Sequence, residues 1–537
     1  MADYDAIIVG AGHNGLVCAL YLARAGWRVV VLEGASEIGG GLRSGAVTLP
    51  GFCHDRYATN VGLFAASPVY RELKSEFDSL GVRLLRSDRP YASVHERRAL
   101  RVYTNLEHTQ NEFGAICARD AEGWRRLTAF YTRTAPNFLP LFSTELPSAK
   151  MWEQLCRIAT SGLRDAASLA KLLRQTSSQF AADYVESPEA RGLLQSWGYH
   201  LDFGPNVPGG AMFAFVAALS GQMHGMPIVE GGAGLITAAL RTMLEQAGGR
   251  IISGAEVTRV IVKEGRAVAV RTRNGQEITA ARAVVANVTT RNLFGTLVSA
   301  KDLDQRFFKR TQDYRYGPGT FIIHLALDRM PCWTAAEDLT GFSYIHLNGR
   351  ESQIEETYRR SLSGFLPVRP LLVVSQTTPI DPSRAPPGKH VLRVHVRTVP
   401  AHIKGDAAGK IGARSWENAK PAFTDRILDL VQEQAPDLRS CILGMAVETP
   451  DDIERENPNF IGGDCVSGSH HLNQNFFCRP FFGWSRYATP IAQLYMIGAS
   501  TWPGGGVNAG SGYILAGRLL KERLAFESAR QSSDDKN

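Results

Sequence analysis

Glycines at positions 10, 12 and 15, followed by a carboxylate at 33, are the residues whose types and spacing point most directly to chemistry. In the run Gly10-Ala11-Gly12-His13-Asn14-Gly15, Gly10 permits a tight turn, Gly12 lets backbone approach a diphosphate, and Gly15 lets a helix pack closely on a strand. A diphosphate placed there meets free N–H groups and the positive end of the helix. Glu33 is positioned to accept hydrogen bonds from ribose hydroxyls, and its charge would repel a 2′-phosphate. The chemistry implied is dinucleotide binding. The alternative at this point is a glycine-rich loop in some other α/β sheet.

These residues act only if particular elements hold them. Residues 5–9, Asp-Ala-Ile-Ile-Val, are a short apolar run that reads as a buried parallel strand. Leu16, Val17, Ala19, Leu20, Leu22 and Ala23 follow at helical spacing, Gly26 closes that helix, and residues 28–32 read as a second strand ending at Glu33. Strand, glycine turn, helix, strand and acid thus stand in the order a dinucleotide unit requires. Gly39-Gly40-Gly41-Leu42-Arg43 reads either as a second backbone segment against the same ligand, with Arg43 as phosphate partner, or as a flexible turn. Gly231-Gly232-Ala233-Gly234 opens an amphipathic helix, and strands are expected at 256–262, 267–272 and 283–287, with Asn274-Gly275 as a turn. Near the C-terminus, Leu494-Tyr495-Met496-Ile497 leads through Gly498, Gly504, Gly505, Gly506 and Val507 to a helix expected at 508–526, a second anion-friendly backbone site.

At 537 residues the chain exceeds one simple core, so two or three domains are expected. A net charge of +7 is modest for this length and gives no case for nucleic acid. The densest basic stretch, Arg83 to Arg101, reads as the solvated face of a small sheet, with a contact to anionic lipid as the sharper alternative. Eight scattered cysteines show no close pair and no zinc spacing, which argues against a disulfide reductase and for free thiols in a reducing compartment; no metal is expected. No signal peptide is expected before the first strand, and the apolar run 211–219 is too short to span a bilayer. The expected location is cytoplasmic, with peripheral membrane association left open. Residues 119–204 read as helices interrupted at Pro136, Pro140, Pro147 and Pro188, and their expected work is to cover a substrate cavity. Trp197, Tyr199, Phe203, Met212, Phe213, Phe215, Met223 and Met226 read as core, or as the wall of an apolar tunnel. Strands at 320–327, 371–375 and 391–398, a helix at 421–434, and a disordered tail at 528–537 complete the expectation.

Glu33 followed by Gly39 to Arg43 resembles flavoprotein oxidoreductases in which the ribose-binding acid precedes a Gly-Gly-Arg-type segment, and that resemblance implies FAD. With residues 231–257 and 498–507 the chain is similar, over nearly its whole length, to the phytoene desaturase group of FAD oxidoreductases. Gly12-His13-Asn14-Gly15-Leu16-Val17, Glu337-Asp338-Leu339-Thr340-Gly341 and Ala385-Pro386-Pro387-Gly388 resemble the branch holding bacterial β-carotene ketolases and mitochondrial pyridine-nucleotide-disulphide oxidoreductase-domain proteins. The implied fold is α/β: a Rossmann-type (GR2-like) FAD-binding domain from 1–68, 227–300 and 481–527, with a discontinuous mixed α+β substrate domain from 69–226 and 301–480. The implied activity is hydride transfer from a carotenoid- or lipid-like substrate to flavin N5, giving desaturation, oxidation or isomerisation, with O2 or a quinone as electron acceptor. The resemblance implies that Glu256-Val257 holds the adenine through its main chain. The helix start after Gly498, Gly505, Gly506 and Val507 would favour the negative charge of a reduced flavin. Trp502, where many relatives have His, and Tyr57 are the candidates for lining the flavin. Two rivals remain: a flavin amine oxidase with an aromatic cage of Trp502 and Tyr57 or Trp484, and an FAD-bound scaffold without turnover.

Overall fold

The computed structural model describes residues 2–348 and 351–534. Tyr4–Val9 and Val29–Leu32 are parallel neighbours with Ile7 opposite Val30, and the helix His13–Arg24 crosses between them. Residues 6–9 and Val29–Leu32 are apolar throughout because layers cover both faces of their sheet. That sheet has the order Val257–Lys263, Arg266–Thr272, Glu277–Ala286, Tyr4–Val9, Val29–Leu32, Arg250–Ile252, and Leu494–Met496 pairs in parallel with Glu277–Ala286. Three distant stretches of chain therefore build one Rossmann-type α/β layer. The helix His13–Arg24 packs against Gly234–Gln246 and Gly510–Asp534. Of the tail expected to be disordered, 528–534 continue the last helix and 535–537 lie outside the described residues.

A second sheet has the order Ile442–Glu448, Gly319–Leu327, His390–Val399, Leu372–Gln376, Tyr344–Asn348, Tyr91–His95, Arg98–Val102. Alternate residues of a strand point to opposite faces. In His390–Val399, Leu392, Val394 and Val396 enter a core with Trp416, Phe423 and Ile427 of the helix Trp416–Gln432. Arg393, His395 and Arg397 are left for the other face. That helix starts earlier than the expected 421 because Ser415 caps the Asn418 N–H. A layer of helices closes over the far end of the sheet, with Trp124, Leu127 and Phe215 in one core with Tyr91 and Val373. Leu84–Ser87 pairs with Met226–Val229 rather than with the hairpin that follows it, and residues 69–80 fall mainly into two short helices, Pro68–Glu72 and Lys74–Ser79.

A buried ion cluster ties the segments entering the two sheets. Arg384 donates from Nη1 to Asp55 Oδ2 (2.7 Å), from Nε to Asp381 Oδ2 (2.9 Å) and from Nη2 to the Val229 carbonyl (2.6 Å). Asp55 also accepts from Ser44 Oγ and the Ala233 N–H, and Asp381 from the Gly231 N–H. Burial opposes ionisation of Asp55, yet Arg384 and these donors hold its pKa below the usual value.

Asp202 is the opposite case. It sits in the left-handed region (φ 67°), where Tyr358 Oη donates to Oδ1 at 3.1 Å. Burial, with Asp464 nearby, pushes its pKa up to about 8, and the imidazole of His471 is itself kept neutral by burial. The folded protein thus holds a proton that the unfolded chain releases near pH 4. The stability this contributes is full below about pH 4 and is lost as pH rises through about 8. Asp202→Asn is expected to flatten the stability curve by up to one proton across that window and to exceed the wild type at pH 8. Urea midpoints from pH 4 to 9 check this.

Candidate functional site

A cavity of about 990 Å³ runs between the two sheets. One end is lined by Val9, Gly10, Gly12, Glu33, Gly40 and Glu256; the other by Trp197, Phe213, Val216, Tyr344, Arg393 and Arg397.

At the first end Gly10 has φ +97°, which an L side chain rarely adopts, and the helix after it starts at an uncapped Gly12 with no acid in its first turn. A Cβ on Gly12 would meet only Asn287 Nδ2, at 3.2 Å, so its open side is a cradle. Gly15 lies beneath the turn: a Cβ there would stand 2.2 Å from the Gly10 carbonyl oxygen. His13 and Asn14 line the cavity, their side chains 3.1 Å apart, and burial lowers the His13 pKa to about 4, so the ring is neutral. Asn14 Oδ1 accepts from Ser511 Oγ, which itself accepts the Gly498 N–H (2.9 Å each), so the first turn and the last loop are joined.

The second glycine cluster lies on the first. Gly39 N–H donates to the Ala11 carbonyl (3.0 Å) and bridges Gly12, while a Cβ on Gly40 would be 3.3 Å from Gly12 Cα. Gly40, Gly41 and Arg43 line the cavity; Leu42 is wholly buried in the core behind them. Arg43 Nη1 pairs with Glu456 Oε1 at 2.8 Å, leaving Nε and Nη2 buried without a partner. Glu33 accepts the Ala11 N–H at Oε2 (2.7 Å) and the Ala35 N–H at Oε1 (3.0 Å). Its carbonyl takes the Ala255 N–H, which sets Glu256 and Val257 beside it in the cavity wall. The unpartnered Arg43 donors, the uncapped helix start and the Gly12 cradle together fit the diphosphate of an FAD.

Gly498, Gly505, Gly506 and Val507 also line the cavity. The helix start that follows is less free than expected, because Asn508 Oδ1 accepts the Gly510 N–H (2.7 Å) and His470 Nε2 accepts the Gly505 N–H (2.8 Å). Trp502 corrects the expectation that it lines the flavin. Its indole stacks on Phe142 (5.6 Å, 16°), packs on Phe476 and donates to the Thr144 carbonyl (2.9 Å), in the core away from the cavity. Tyr57 does reach the cavity, its ring edge-on to Phe460 and its hydroxyl buried without a partner.

The aromatic stretch 197–226 divides between the two readings of the sequence. Trp197, Phe213 and Met226 line the cavity, whereas Phe215 is wholly buried core. The charged floor opposite them was missed. Arg393, His395 and Arg397 stand on one face of their strand and line the cavity with His200. Burial holds both histidines neutral and lowers Arg397 to about 10. The alternation His390-Val-Leu-Arg-Val-His-Val-Arg was the available signal. Asn287 was also missed; its Nδ2 donates to the Gly10 carbonyl (3.2 Å) and props the turn.

The model of the family described as flavin containing amine oxidoreductase matches residues 15–431. Rat pyridine nucleotide-disulfide oxidoreductase domain-containing protein 2 is 27% identical, covering 97% of this chain and 94% of that protein. A limonene dehydrogenase component of Castellaniella defragrans is also 27% identical, covering 96% and 94%. Prolycopene isomerases and a diapophytoene desaturase are among further relatives, in keeping with the resemblance to the phytoene desaturase group. Among solved structures, cyclohexylamine oxidase from Brevibacterium oxydans superposes with a TM-score of 0.59 at 15% identity, covering 97% of this chain and all of the other, which shows a shared fold. With a match over most of its length, the chain belongs to the flavin-containing amine oxidoreductase family and is an FAD-dependent oxidoreductase.

Proposed function

We propose that this enzyme removes a hydride from a C–H bond of an apolar, terpenoid- or lipid-like substrate lying in the far end of the cavity. The observation that carries this is the continuity of one cavity, from the glycine turns to a wall of Tyr131, Leu139, Trp197, Phe213 and Val216. The limonene dehydrogenase component and the carotenoid-named relatives support the substrate class. What bound FAD supplies is a two-electron acceptor for hydride. Gly10, Gly12, Asn14, Gly40, Gly41 and Arg43 would hold its diphosphate, Glu33 its ribose, Glu256 and Val257 its adenine, and Gly498, Gly505, Gly506 and Val507 its ring. Residues 1–68, 227–300 and 481–527 would then be the FAD-binding domain, and 69–226 with 301–480 the substrate domain. The apolar wall excludes water, and O2 or a quinone serves as acceptor.

Anaerobic mixing of the holoenzyme with terpenes, carotenoids and long-chain lipids is expected to bleach the flavin band, whereas amines leave it unchanged. Peroxide release with amines would favour an amine oxidase, and a flavin that no donor reduces would favour a scaffold. Two guanidiniums at the far end disfavour a protonated amine there. Tyr57 would donate a hydrogen bond in the chamber, since burial raises its pKa and keeps its proton on. Tyr57→Phe is expected to leave stability within about 0.5 kcal/mol while lowering turnover. A matching loss of both, by melting and steady-state rates, would make it core.

No helix among the described residues is long and apolar enough to cross a membrane. Helices Ala149–Thr160 and Leu163–Leu172 expose Trp152 and Leu163, 63% and 82% accessible, beside Lys150, Arg157 and Arg164. This supports peripheral contact with a membrane that supplies the substrate. Co-sedimentation with anionic vesicles tests it.

A further inference from the structure

We propose that the far end of the cavity is a carboxylate-binding subsite, so that the substrate is an apolar chain ending in a carboxylate, anchored by Arg397 and flanked by Arg393. This deepens the reading of that end as the substrate chamber and rests on it.

Among the described residues Arg397 makes one hydrogen bond, from Nη2 to His200 Nδ1 at 3.0 Å, and its buried Nε has no partner there. A guanidinium only donates, so His200 accepts at Nδ1 and carries its proton on Nε2, 3.1 Å from His346 Nε2. His346 then accepts at Nε2, leaving its own proton on Nδ1, which is buried and unpartnered. The histidine pair is thereby neutral and offers Arg397 no counter-charge. Arg393 donates from Nη1 to the carbonyls of Asp55 and Tyr57, and its Nε has no partner.

Of the acids in the neighbourhood, Asp55 is paired with Arg384, and Asp464 accepts the N–H groups of Gly317, Val466 and Gly468. Glu448 is bonded by Arg56 through Oε1, and its buried Oε2 lies 3.5 Å from His324 Nε2. Arg393, buried, and Arg397, half-buried, thus line the chamber beside the neutral His200 and His395, and neither makes an ion pair with a carboxylate among the described residues. Buried cations are ordinarily paired, and the planar fork of arginine matches a carboxylate. The apolar wall facing them accommodates a hydrocarbon chain, and the combination describes an amphiphile. A second source of the same oxyanion chemistry is the N1–C2=O edge of the reduced flavin, and the experiment separates the two.

The holoenzyme is titrated with n-alkanoic acids from octanoic to icosanoic, their methyl esters and the matching alcohols, with the flavin absorbance as readout. The wild type is expected to bind its best acid at least about 30-fold more tightly than the ester, equivalent to about 2 kcal/mol at 1.4 kcal/mol per tenfold. Arg397→Met is expected to bring that ratio within about threefold, Arg397→Lys to retain part of it, and the ligand-free Met variant to melt no lower than the wild type. No preference for any acid overturns the proposal. So does a lower flavin potential in Arg397→Met with the acid-to-ester ratio unchanged, which assigns the guanidinium to the flavin, and so does a lower melting point without ligand, which makes it structural. Acid preference without bleaching by any C–H donor removes the hydride reading and leaves the subsite, whereas bleaching by hydrocarbons without acid preference does the reverse.

Discussion

Gly15→Val is expected to purify colourless and to stay so in excess FAD. A Cβ at this position would stand 2.2 Å from the Gly10 carbonyl oxygen, 2.9 Å from Asn287 Nδ2 and 3.3 Å from Ile8 Cγ2. The first of these is backbone, so the helix His13–Arg24 must move off the turn. That breaks the diphosphate cradle and adds overpacking of about 1–3 kcal/mol or more. Gly12→Ala is the informative contrast. Its methyl meets only Asn287 Nδ2 at 3.2 Å, so the fold survives. The methyl takes space the cofactor backbone approach needs, and FAD binding is expected to weaken by about a hundredfold, or 2.7 kcal/mol at 1.36 per decade. The ratio of flavin to protein absorbance, before and after added FAD, separates the two. A fully yellow Gly15→Val would contradict the placement of the cofactor on this turn.

Arg384→Met is expected to cost about 3–5 kcal/mol, because it strands Asp55 and Asp381 without their shared cation. The wild-type carboxylates are 4% and 1% exposed, so water cannot replace the guanidinium. The acid limb of the stability curve should change as well. Asp55 titrates below its unfolded value, so its contribution is present above about pH 4 and is lost as pH falls through the folded value. The variant lacks this contribution. Adding Asp55→Asn and Asp381→Asn to Arg384→Met should restore part of the loss, since neutral amides are cheaper to leave in that site than charges. Urea unfolding of the single and triple variants checks both points, and a single variant within about 1 kcal/mol of wild type would show the cluster to be dispensable.

The parts of the site that were legible from sequence are local ones. Gly10, Gly12, Gly15 and Glu33 fall within one strand–helix–strand unit, where neighbouring residues dictate the turn and little else is needed. Glu256 and Val257 were legible for a related reason, since a glycine opening, an amphipathic helix and a strand announce one another in order. Trp502 failed because its surroundings come from far along the chain: Phe142 and the Thr144 carbonyl fill the space beside it. Arg393 and Arg397 could be placed on one face of a strand by alternation alone. Which face meets the cavity depends on the helix Trp416–Gln432 covering the other, and no local pattern states that.

The order in which the nucleotide-facing sheet is assembled has a consequence for biosynthesis. Tyr4–Val9 leaves the ribosome long before Leu494–Met496 and the helix that seats Gly512 against Asn14. At about 5–20 residues per second the nascent phosphate turn waits on the order of half a minute or more for its closing partners. Throughout that interval an apolar strand pair lacks part of its cover. Chaperone dependence and sensitivity to removal of residues 494–534 follow from this connectivity, and FAD loading belongs after those residues have emerged.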